Sequence, residues 1–373
     1  MKKTIVISAV NLVEAGTLAI LRDCLDYLSV LAVQHEYRIV AIVYKKELAL
    51  FPNIEYIETQ WPKKRWINRL WYEYVSMKKI SKELAPVDLW FSLHDTTPSV
   101  MARKRAVYCH NSYSFYKWKL HDLLVAPKIA MFAIFTKYIY KTNIHENDYL
   151  VVQQEWFRVA MSKMFGFDSS KIIVAPPHRT KSRKIIKNTE DKEVFSFIYA
   201  ASPNSHKNFE IICRAVDILE THYQIKSFRV HLTVDGSENR YAGWLYKKWG
   251  KLSCINFMGF VDKNTLFTYY ENSSCMIFPS KVETWGLPIS EFSEFSEFNK
   301  PMLLADLPYT HETASGSKKV AFFDPNNPEI LAQQMIKLIQ RDYSFLKEAP
   351  EAIIENPVAY SWEELFQILL FEA

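Results

Sequence analysis

Short apolar runs that alternate with helical patterns, in two successive series, constrain the fold of this chain more than any other feature. Predicted strands of the first series occupy residues 4–10, 37–44, 54–58, 88–94, 105–110 and 148–154. Those of the second series occupy residues 195–200, 228–236, 254–260, 274–280, 301–306 and 321–325. Helical spacing of apolar residues predicts helices at 18–31, 207–221, 263–272, 287–297 and 328–341. This alternation indicates an α/β fold, with parallel sheets covered by helices.

The two series are separated by a polar stretch at 172–194, which contains paired prolines and many charges and predicts a linker. A chain of 373 residues, 49% of them hydrophobic, is too long for one ordinary core and can form two. We therefore expect an N-terminal domain at 1–180 and a C-terminal domain at 181–355. The tail at 356–373 is apolar at helical spacing and predicts a final helix.

The net charge of +5 is mildly basic, well below that of a dedicated nucleic-acid-binding protein, so no nucleic-acid partner is expected. The positive charge is concentrated between residues 61 and 141, where lysines and arginines alternate with tryptophan, tyrosine and phenylalanine. Such a surface predicts peripheral contact with anionic membrane headgroups. A solvated face over ordinary core aromatics is the alternative interpretation.

The cysteines and the apolar runs indicate where the chain resides. Its five cysteines are widely spaced and form no CxxC pair, which is typical of a reducing cytosol and predicts no metal site. The first apolar run ends at Asn11, too early for a signal peptide. The longest apolar stretch, 123–135, contains Pro127 and Lys128 and is too short to span a bilayer. The expected location is cytoplasmic, in association with the inner face of the membrane.

The segment 279–291, PSKVETWGLPISE, carries the sharpest chemical signal. In parallel sheets, ligands bind beyond the carboxyl ends of strands, where loops lead into helices. Gly286 and Leu287 precede Pro288 at a predicted helix start, so their N–H groups suit phosphate or sugar oxygens. Glu283 and Glu291 supply two acceptors at different points along an extended ligand.

Glu283 and Glu291, with seven residues between them, match the E-x7-E motif of retaining GT-B glycosyltransferases, and the chain resembles family 4 of these enzymes (glycosyl transferases group 1). The resemblance extends over about residues 193 to 345, through MGFVDKNTLFTYYENSSCMIFPSKVETWGLPISEF, LLADLPYTHE and VAFFDPNNPEILAQQMIKLI. It implies a GT-B fold, in which two Rossmann-like domains face each other across a cleft and the last helix crosses back to the N-terminal domain.

The resemblance also implies roles for residues of the C-terminal half. Glu283 is predicted to be catalytic and would hydrogen-bond hydroxyls of the donor sugar, and Glu291 would hold the nucleotide ribose. Trp285, Gly286 and Leu287 would complete this substrate-binding segment. Val261 lies in the loop 259–262, which would face the nucleobase, although a simple strand-exit turn is the alternative.

Lys207 follows a predicted strand and lies at a helix start, where a cation is unfavourable unless an anion binds. The family has a lysine here for the diphosphate, so Lys207 is predicted to act in catalysis. Many members also have an arginine about six residues earlier, where this chain has Ala201 and Ser202. Ser202 is therefore predicted to contact substrate. The missing cation could come from Arg179, Arg229 or Arg240, which the sequence does not rank.

In the N-terminal half, His110 ends a predicted strand, and the corresponding family histidine hydrogen-bonds the donor sugar near the reacting carbon. It is predicted to be catalytic, with a satisfied structural histidine as the alternative; His121 is predicted to be structural. The family's glycine-rich first loop retains only Gly16, with Glu14 nearby, and is predicted to contact phosphate or acceptor. The absence of GxGxxG argues against a dinucleotide dehydrogenase.

Together these features predict a retaining, metal-independent hexosyltransferase. Its donor would be a UDP- or GDP-linked sugar, its acceptor a glycan or a lipid-linked molecule, and its setting bacterial surface polysaccharide synthesis. No Asp-x-Asp motif is present, and no cofactor beyond the donor substrate is expected. Two alternatives stay open, namely a nucleotide-sugar epimerase or hydrolase and a non-catalytic nucleotide-sugar-binding protein. The sequence does not identify the donor sugar, the base or the acceptor.

Overall fold

A computed structural model describes residues 2–13, 15–177 and 194–371, which form two compact α/β units. The first unit contains the described residues of 1–111, 136–179 and 354–373, and the second those of 112–135 and 180–353. Segment 112–135 lies earlier in the chain, yet by its contacts it belongs to the second unit.

The first sheet has seven parallel strands. They are β1 (Thr4–Ser8), β2 (Arg38–Val43), β3 (Ile54–Glu58), β4 (Leu89–Ser92), β5 (Lys104–Tyr108), β6 (Tyr149–Val152) and β7 (Ile172–Val174). Their order across the sheet is β3-β2-β1-β4-β5-β6-β7. All six predicted strands are present. The linker prediction was wrong for β7, because this buried apolar triplet pairs with β6 before Pro176 and Pro177; residues 178–193 of the predicted linker lie outside the described residues.

The second sheet has six parallel strands. They are β8 (Phe195–Tyr199), β9 (Phe228–Leu232), β10 (Ile255–Phe257), β11 (Cys275–Phe278), β12 (Met302–Ala305) and β13 (Val320–Phe323). Their order is β10-β9-β8-β11-β12-β13, and all six were predicted. Each sheet therefore has the Rossmann arrangement, in which the first and fourth strands are neighbours and the strand order reverses between them.

Thirteen α-helices connect and cover these strands in the described chain. They are α1 (Ala15–Gln34), α2 (Trp66–Trp71), α3 (Met77–Glu83), α4 (Leu120–Val125), α5 (Pro127–Lys141), α6 (Glu155–Phe165), α7 (Phe209–Asp217), α8 (Arg240–Trp249), α9 (Lys263–Asn272), α10 (Leu287–Phe295), α11 (Pro308–Thr313), α12 (Pro328–Ile339) and α13 (Trp362–Phe371). A π-turn, Tyr72–Ser76, joins α2 to α3. None of the described helices has the length and apolarity needed to cross a membrane.

The final helix packs on the first unit, as predicted. The Phe366 ring on α13 lies 5.7 Å from the Tyr27 ring on α1 and 5.9 Å from the Phe91 ring on β4. Leu365 and Leu369 complete this buried contact. Because burial of apolar surface is the main source of stability, α13 forms part of the first unit's core rather than a free tail.

Candidate active site

Lys207 and Glu283 form an ion pair at the point in the second unit where the strand order reverses. Lys207 follows β8 and Glu283 follows β11, and these two strands are neighbours. The Lys207 Nζ donates to Glu283 Oε1 at 2.5 Å, and their side chains are 17% and 14% exposed. The structure therefore brings together two predicted site residues that are 76 positions apart in the sequence.

Hydrogen bonds hold the two loops of this pair against each other. The Tyr199 hydroxyl donates to the Lys207 carbonyl at 2.7 Å. The next residue, Asn208, is buried with a φ of +59°, and its Nδ2 donates to the carbonyls of Pro279 and Pro325 at 3.1 and 2.8 Å. The Lys281 N–H also donates to the His206 carbonyl at 2.7 Å. Because these hydrogen bonds fix the backbone of the loops after β8 and β11, they hold Lys207 and Glu283 in defined positions.

His206 and Tyr113 border the pair and were not predicted as site residues. The His206 ring is buried, and its centroid lies 5.0 Å from that of Tyr113 in an edge-to-face contact. Burial, then the charges of Lys207 and Lys281, lowers the pKa of His206 far below its ordinary range, so the ring is neutral. Burial and then the Glu283 carboxylate raise the pKa of Tyr113. No sequence motif indicated either residue. Tyr113 contacts His206 because segment 112–135 belongs to the second unit.

The predicted helix start is present at α10. Gly286 has a φ of +90° and precedes the first helical residue, Leu287, with Pro288 next. The first N–H groups of a helix have no partner within the helix and can bind an anion. Trp285 is buried, its indole N–H donates to Ser290 Oγ at 3.0 Å, and its carbonyl accepts from the Thr313 hydroxyl. These contacts brace the turn, and substrate contact by Trp285 stays a prediction.

Glu291 lies about one turn inside α10, at a second point along the same edge. Its side chain is 29% exposed, and its Oε1 lies 3.7 Å from Lys263 Nζ. Burial raises the pKa of Glu291, and the Lys263 ammonium opposes that rise. Val261, which is half-buried, lies in the loop after β10, and Asp262 caps α9 by accepting from the N–H groups of residues 264 and 265.

The described residues include two of the three arginines that could supply the cation in place of the family's arginine. Arg229 lies at the start of β9, the sheet end opposite the Lys207 loop, and donates to the Ser253 carbonyl at 2.6 Å. Arg240 is exposed on α8, and Arg179 lies outside the described residues. Ser202 is exposed, and its hydroxyl accepts from Asn204 Nδ2 at 3.1 Å.

In the first unit, His110 follows β5 and is half-buried. Its N–H donates to Asp95 Oδ1 at 2.5 Å, and its ring stacks on Tyr108 with centroids 4.3 Å apart. Burial lowers the pKa of His110 and the Asp95 carboxylate opposes this, while its Nε2 has no hydrogen-bond partner among the described residues. Gly16 is exposed in the first turn of α1, and Glu14 lies outside the described residues.

A buried acid–histidine pair, unpredicted from the sequence, flanks the reversal point of the first sheet. His94 follows β4, and its Nδ1 lies 3.2 Å from Glu73 Oε1 and 3.0 Å from Thr96 Oγ1. The pair's side chains are 2% exposed. Burial raises the pKa of Glu73 to about 7 and lowers that of His94 to about 3. Between those pH values the pair is therefore a protonated carboxyl beside a neutral imidazole.

Comparison with known proteins gives one family and one fold. Residues 178–357 match the family described as glycosyl transferases group 1. Among solved structures, sucrose-phosphate synthase from Thermosynechococcus elongatus has a TM-score of 0.66 at 13% identity, covering 93% of this chain and 92% of that one. A glycosyltransferase from Rickettsia africae has a TM-score of 0.62 at 17% identity, covering 91% and 88%. Anabaena HepE in complex with UDP and glucose has a TM-score of 0.60 at 12% identity, covering 91% of each.

No curated protein matches the chain in sequence. At such low identities the structural likeness shows the fold alone, and that fold is the predicted GT-B one.

Proposed function

This chain belongs to the glycosyl transferases group 1 family and is a glycosyltransferase, and we propose the reaction that it catalyses. It moves a hexose-type sugar from a nucleotide-diphosphate donor to a glycan or lipid-linked acceptor. The Lys207–Glu283 pair is the observation that carries this proposal. It supplies one cation and one carboxylate at the edge of a parallel sheet where ligands bind. A donor of this class needs both, a cation for the diphosphate and an acceptor for the sugar hydroxyls.

The pair would exchange partners when the donor binds. The Lys207 ammonium would move onto the diphosphate, and the first N–H groups of α10 would add positive potential at the same edge. Glu283, released from Lys207, would accept hydrogen bonds from donor-sugar hydroxyls. As the bond between the anomeric carbon and the diphosphate breaks, negative charge grows on the leaving oxygen, and preorganised cations lower the energy of that state.

Retention and metal independence are further parts of the proposal. The acceptor oxygen would attack from the face that the diphosphate leaves, and the leaving phosphate would take the acceptor proton, so no enzymic nucleophile is required. His110 would contact the donor sugar near the reacting carbon. Within the described residues, no three His, Cys, Asp or Glu side chains are grouped so as to hold a metal ion. Transfer activity measured with and without a chelator tests metal independence directly.

The surface around α2 favours a membrane-proximal acceptor. Trp66, Ile67 and Trp71 are exposed there, and Ile67 is 68% exposed. The stretch just before α2 contains Lys63, Lys64 and Arg65. Apolar side chains beside cations suit the anionic face of a bilayer. This surface supports action at an anionic membrane face; a cytoplasmic location and a role in bacterial surface polysaccharide synthesis are further parts of the proposal.

The test is a transfer assay with the full chain, UDP- and GDP-linked hexoses, and a panel of glycan and lipid-linked acceptors. UDP-glucose comes first, because HepE was solved with UDP and glucose. We expect transfer that persists in EDTA and gives a product with the donor's anomeric configuration by NMR. Loss of activity in EDTA that magnesium restores would overturn metal independence. Donor turnover without transfer would indicate a hydrolase or epimerase, and binding without turnover a non-catalytic protein.

A further inference from the structure

A cavity of about 120 Å³ lies in the second unit, and neither Lys207 nor Glu283 lines it. Segment 112–135 and α7 form two of its walls, and α8 and the loop before α12 form the others. Its lining residues are Lys119, His121, Asp122, Asn208, Glu210, Ile211, Arg214, Trp244, Lys281, Pro325, Asn326 and Pro328. One water occupies about 30 Å³ in the liquid, so the cavity can hold a group several times larger.

Both carboxylates of this cavity are engaged by the protein itself. Asp122 is buried, and its Oδ2 accepts from the Tyr116 hydroxyl at 3.0 Å and from the Lys119 N–H at 2.7 Å. Glu210 accepts from Lys281 Nζ at 3.0 Å through Oε1 and from the Tyr241 hydroxyl through Oε2. Their lone pairs are thus directed to internal donors, which lowers their repulsion of an anionic ligand.

Two cations of the cavity have no carboxylate partner. Lys119 Nζ donates to the amide oxygen of Asn326 at 3.0 Å, a neutral acceptor that an anion can replace. Arg214 is exposed on α7 and makes no ion pair with any described residue. A guanidinium presents a planar set of donors that matches two oxygens of a phosphate. The His121 ring, with its centroid 4.6 Å from that of Trp244, adds an aromatic wall.

We infer that this cavity is a second ligand site that binds a phosphate group, either as inorganic phosphate or as a phosphate monoester. Lys119 and Arg214 supply the charge, and Asn208 and Asn326 line the polar wall. A neutral sugar would leave both cations without an anionic partner. The site is distinct from the donor residues, so phosphate here does not compete for Lys207.

Occupation of the site would fix segment 112–135 on the second unit. Lys119 and His121 belong to this segment, while Arg214 and Trp244 belong to α7 and α8. A phosphate held by both sides links them. The same segment carries Tyr113, which borders Glu283 and His206. Bound phosphate would therefore also hold one side of the donor residues in place, a consequence that rests on the proposed function.

Binding is measured by isothermal titration with inorganic phosphate and with methyl phosphate, at constant ionic strength set with chloride. We expect saturable binding to the full chain and at least about tenfold weaker binding to the double variant Lys119→Gln/Arg214→Gln, because the variant lacks both charged hydrogen-bond donors to the anion. The matched control Lys251→Gln/Lys318→Gln removes two exposed lysines of the same unit and should bind within about twofold of the wild type.

The Lys207→Met variant separates this site from the donor site. It should keep phosphate binding; loss of all binding there would show that phosphate occupies only the donor residues and would overturn the inference. Equal affinity of the Lys119/Arg214 double variant and the wild type would overturn it as well. Preference for methyl phosphate would identify a phosphorylated molecule as the ligand, and preference for inorganic phosphate would identify free phosphate. Hydrogen exchange should slow in peptides covering 119–125 when phosphate is added to the wild type only.

Discussion

The two sheets share one strand order, yet opposite kinds of acid–base pair lie where that order reverses. In the second unit, Lys207 and Glu283 form an ion pair at 2.5 Å with part of each side chain exposed. In the first unit, Glu73 and His94 lie 3.2 Å apart with only 2% of each side chain exposed. The Lys207–Glu283 pair can exchange partners with a ligand from solvent. The Glu73–His94 pair is closed off from solvent.

Burial explains the difference, because removal of a charge from water favours the neutral form of each group. It raises the pKa of Glu73 to about 7 and lowers that of His94 to about 3, so this pair is neutral between those pH values. A topological reversal point is therefore not in itself a ligand site. Exposure and charge decide whether the groups there bind substrate or stabilise the fold.

The largest expected effect is loss of turnover when the exposed pair is altered. Glu283→Gln and Lys207→Met should each lower kcat/KM at least about a hundredfold, on the scale of a lost electrostatic stabiliser. The double variant should lose far less than the product of the two, because the side chains are in contact. Steady-state kinetics with the active donor measures all three variants.

An exposed ion pair of the first unit provides the control for this prediction. Arg105 Nη1 lies 2.6 Å from Glu146 Oε2. Arg105→Gln and Glu146→Gln should leave kcat/KM within about twofold, since exposed pairs contribute at most about 1 kcal/mol. Near-normal rates for Glu283→Gln would remove the second unit's pair from the chemistry and erase the contrast.

The sequence predicted the exposed pair better than the buried one for physical reasons. Lys207 and Glu283 lie in the loops that follow apolar strands, where parallel topology gathers polar residues at one edge of the sheet. The resemblance to the glycosyltransferase family then assigned their roles. Glu73 lies in a π-turn, which shifts the helical register that periodicity assumes to be constant. Its contact with His94 joins a helix to a strand end, and no local pattern contains that information.

Tertiary packing also accounts for what else the sequence did not predict. Segment 112–135 follows β5 of the first unit in the chain, so periodicity gave no reason to assign it to the second unit. Its contacts there, such as Tyr113 with His206, depend on side chains almost a hundred positions apart. Strand β7 has only three residues next to paired prolines, a local pattern that indicates a linker.

The next largest effect is a pH-dependent change in stability at the buried pair. Burial raises the pKa of Glu73 from 4.5 to about 7, so between these values the folded state binds more protons than the unfolded state. Its contribution to stability therefore falls as the pH rises through this window. Glu73→Gln lacks this loss, and its free energy of unfolding relative to wild type should increase by on the order of 2 kcal/mol from pH 4.5 to 7. Urea unfolding at several pH values measures this difference.

Glu55 supplies a control of opposite sign. The hydrogen bond from Arg38 lowers the pKa of its carboxyl, so its contribution to stability is lost as the pH falls. Glu55→Gln should therefore lose stability relative to wild type as the pH rises from the acid range. Turnover of Glu73→Gln should stay near normal at pH 7. A large loss of turnover without a stability change would mean that the buried pair acts in catalysis, and the contrast between the two reversal points would fail.

A smaller effect is expected at Glu291, which is neither as exposed as a surface residue nor fully buried. Glu291→Gln should raise the donor KM about tenfold with little change in kcat, because a charged acceptor for the ribose is lost. The wild-type KM should rise as the pH falls through the raised pKa of this carboxyl, and the variant should lose that dependence. Lys263→Met should move the dependence to higher pH, because the ammonium lowers the pKa. A pH-independent wild-type KM would contradict the role of Glu291.

The smallest effect is expected on stability and on the donor KM when a glycine that precedes or ends a helix is replaced. One such glycine from each unit is compared. Gly286 precedes α10 with a φ of +90°, and Gly166 ends α6 with a φ of +64°. A Cβ at Gly286 would meet Ile289 Cδ1 at 3.4 Å, an ordinary contact, and a Cβ at Gly166 would meet nothing within 4 Å. Each Gly→Ala change should therefore cost about 1 kcal/mol through backbone strain alone. If the N–H groups at the start of α10 contact the donor, Gly286→Ala should also raise the donor KM several-fold, whereas Gly166→Ala should leave it unchanged; equal KM values would show that this turn only begins a helix.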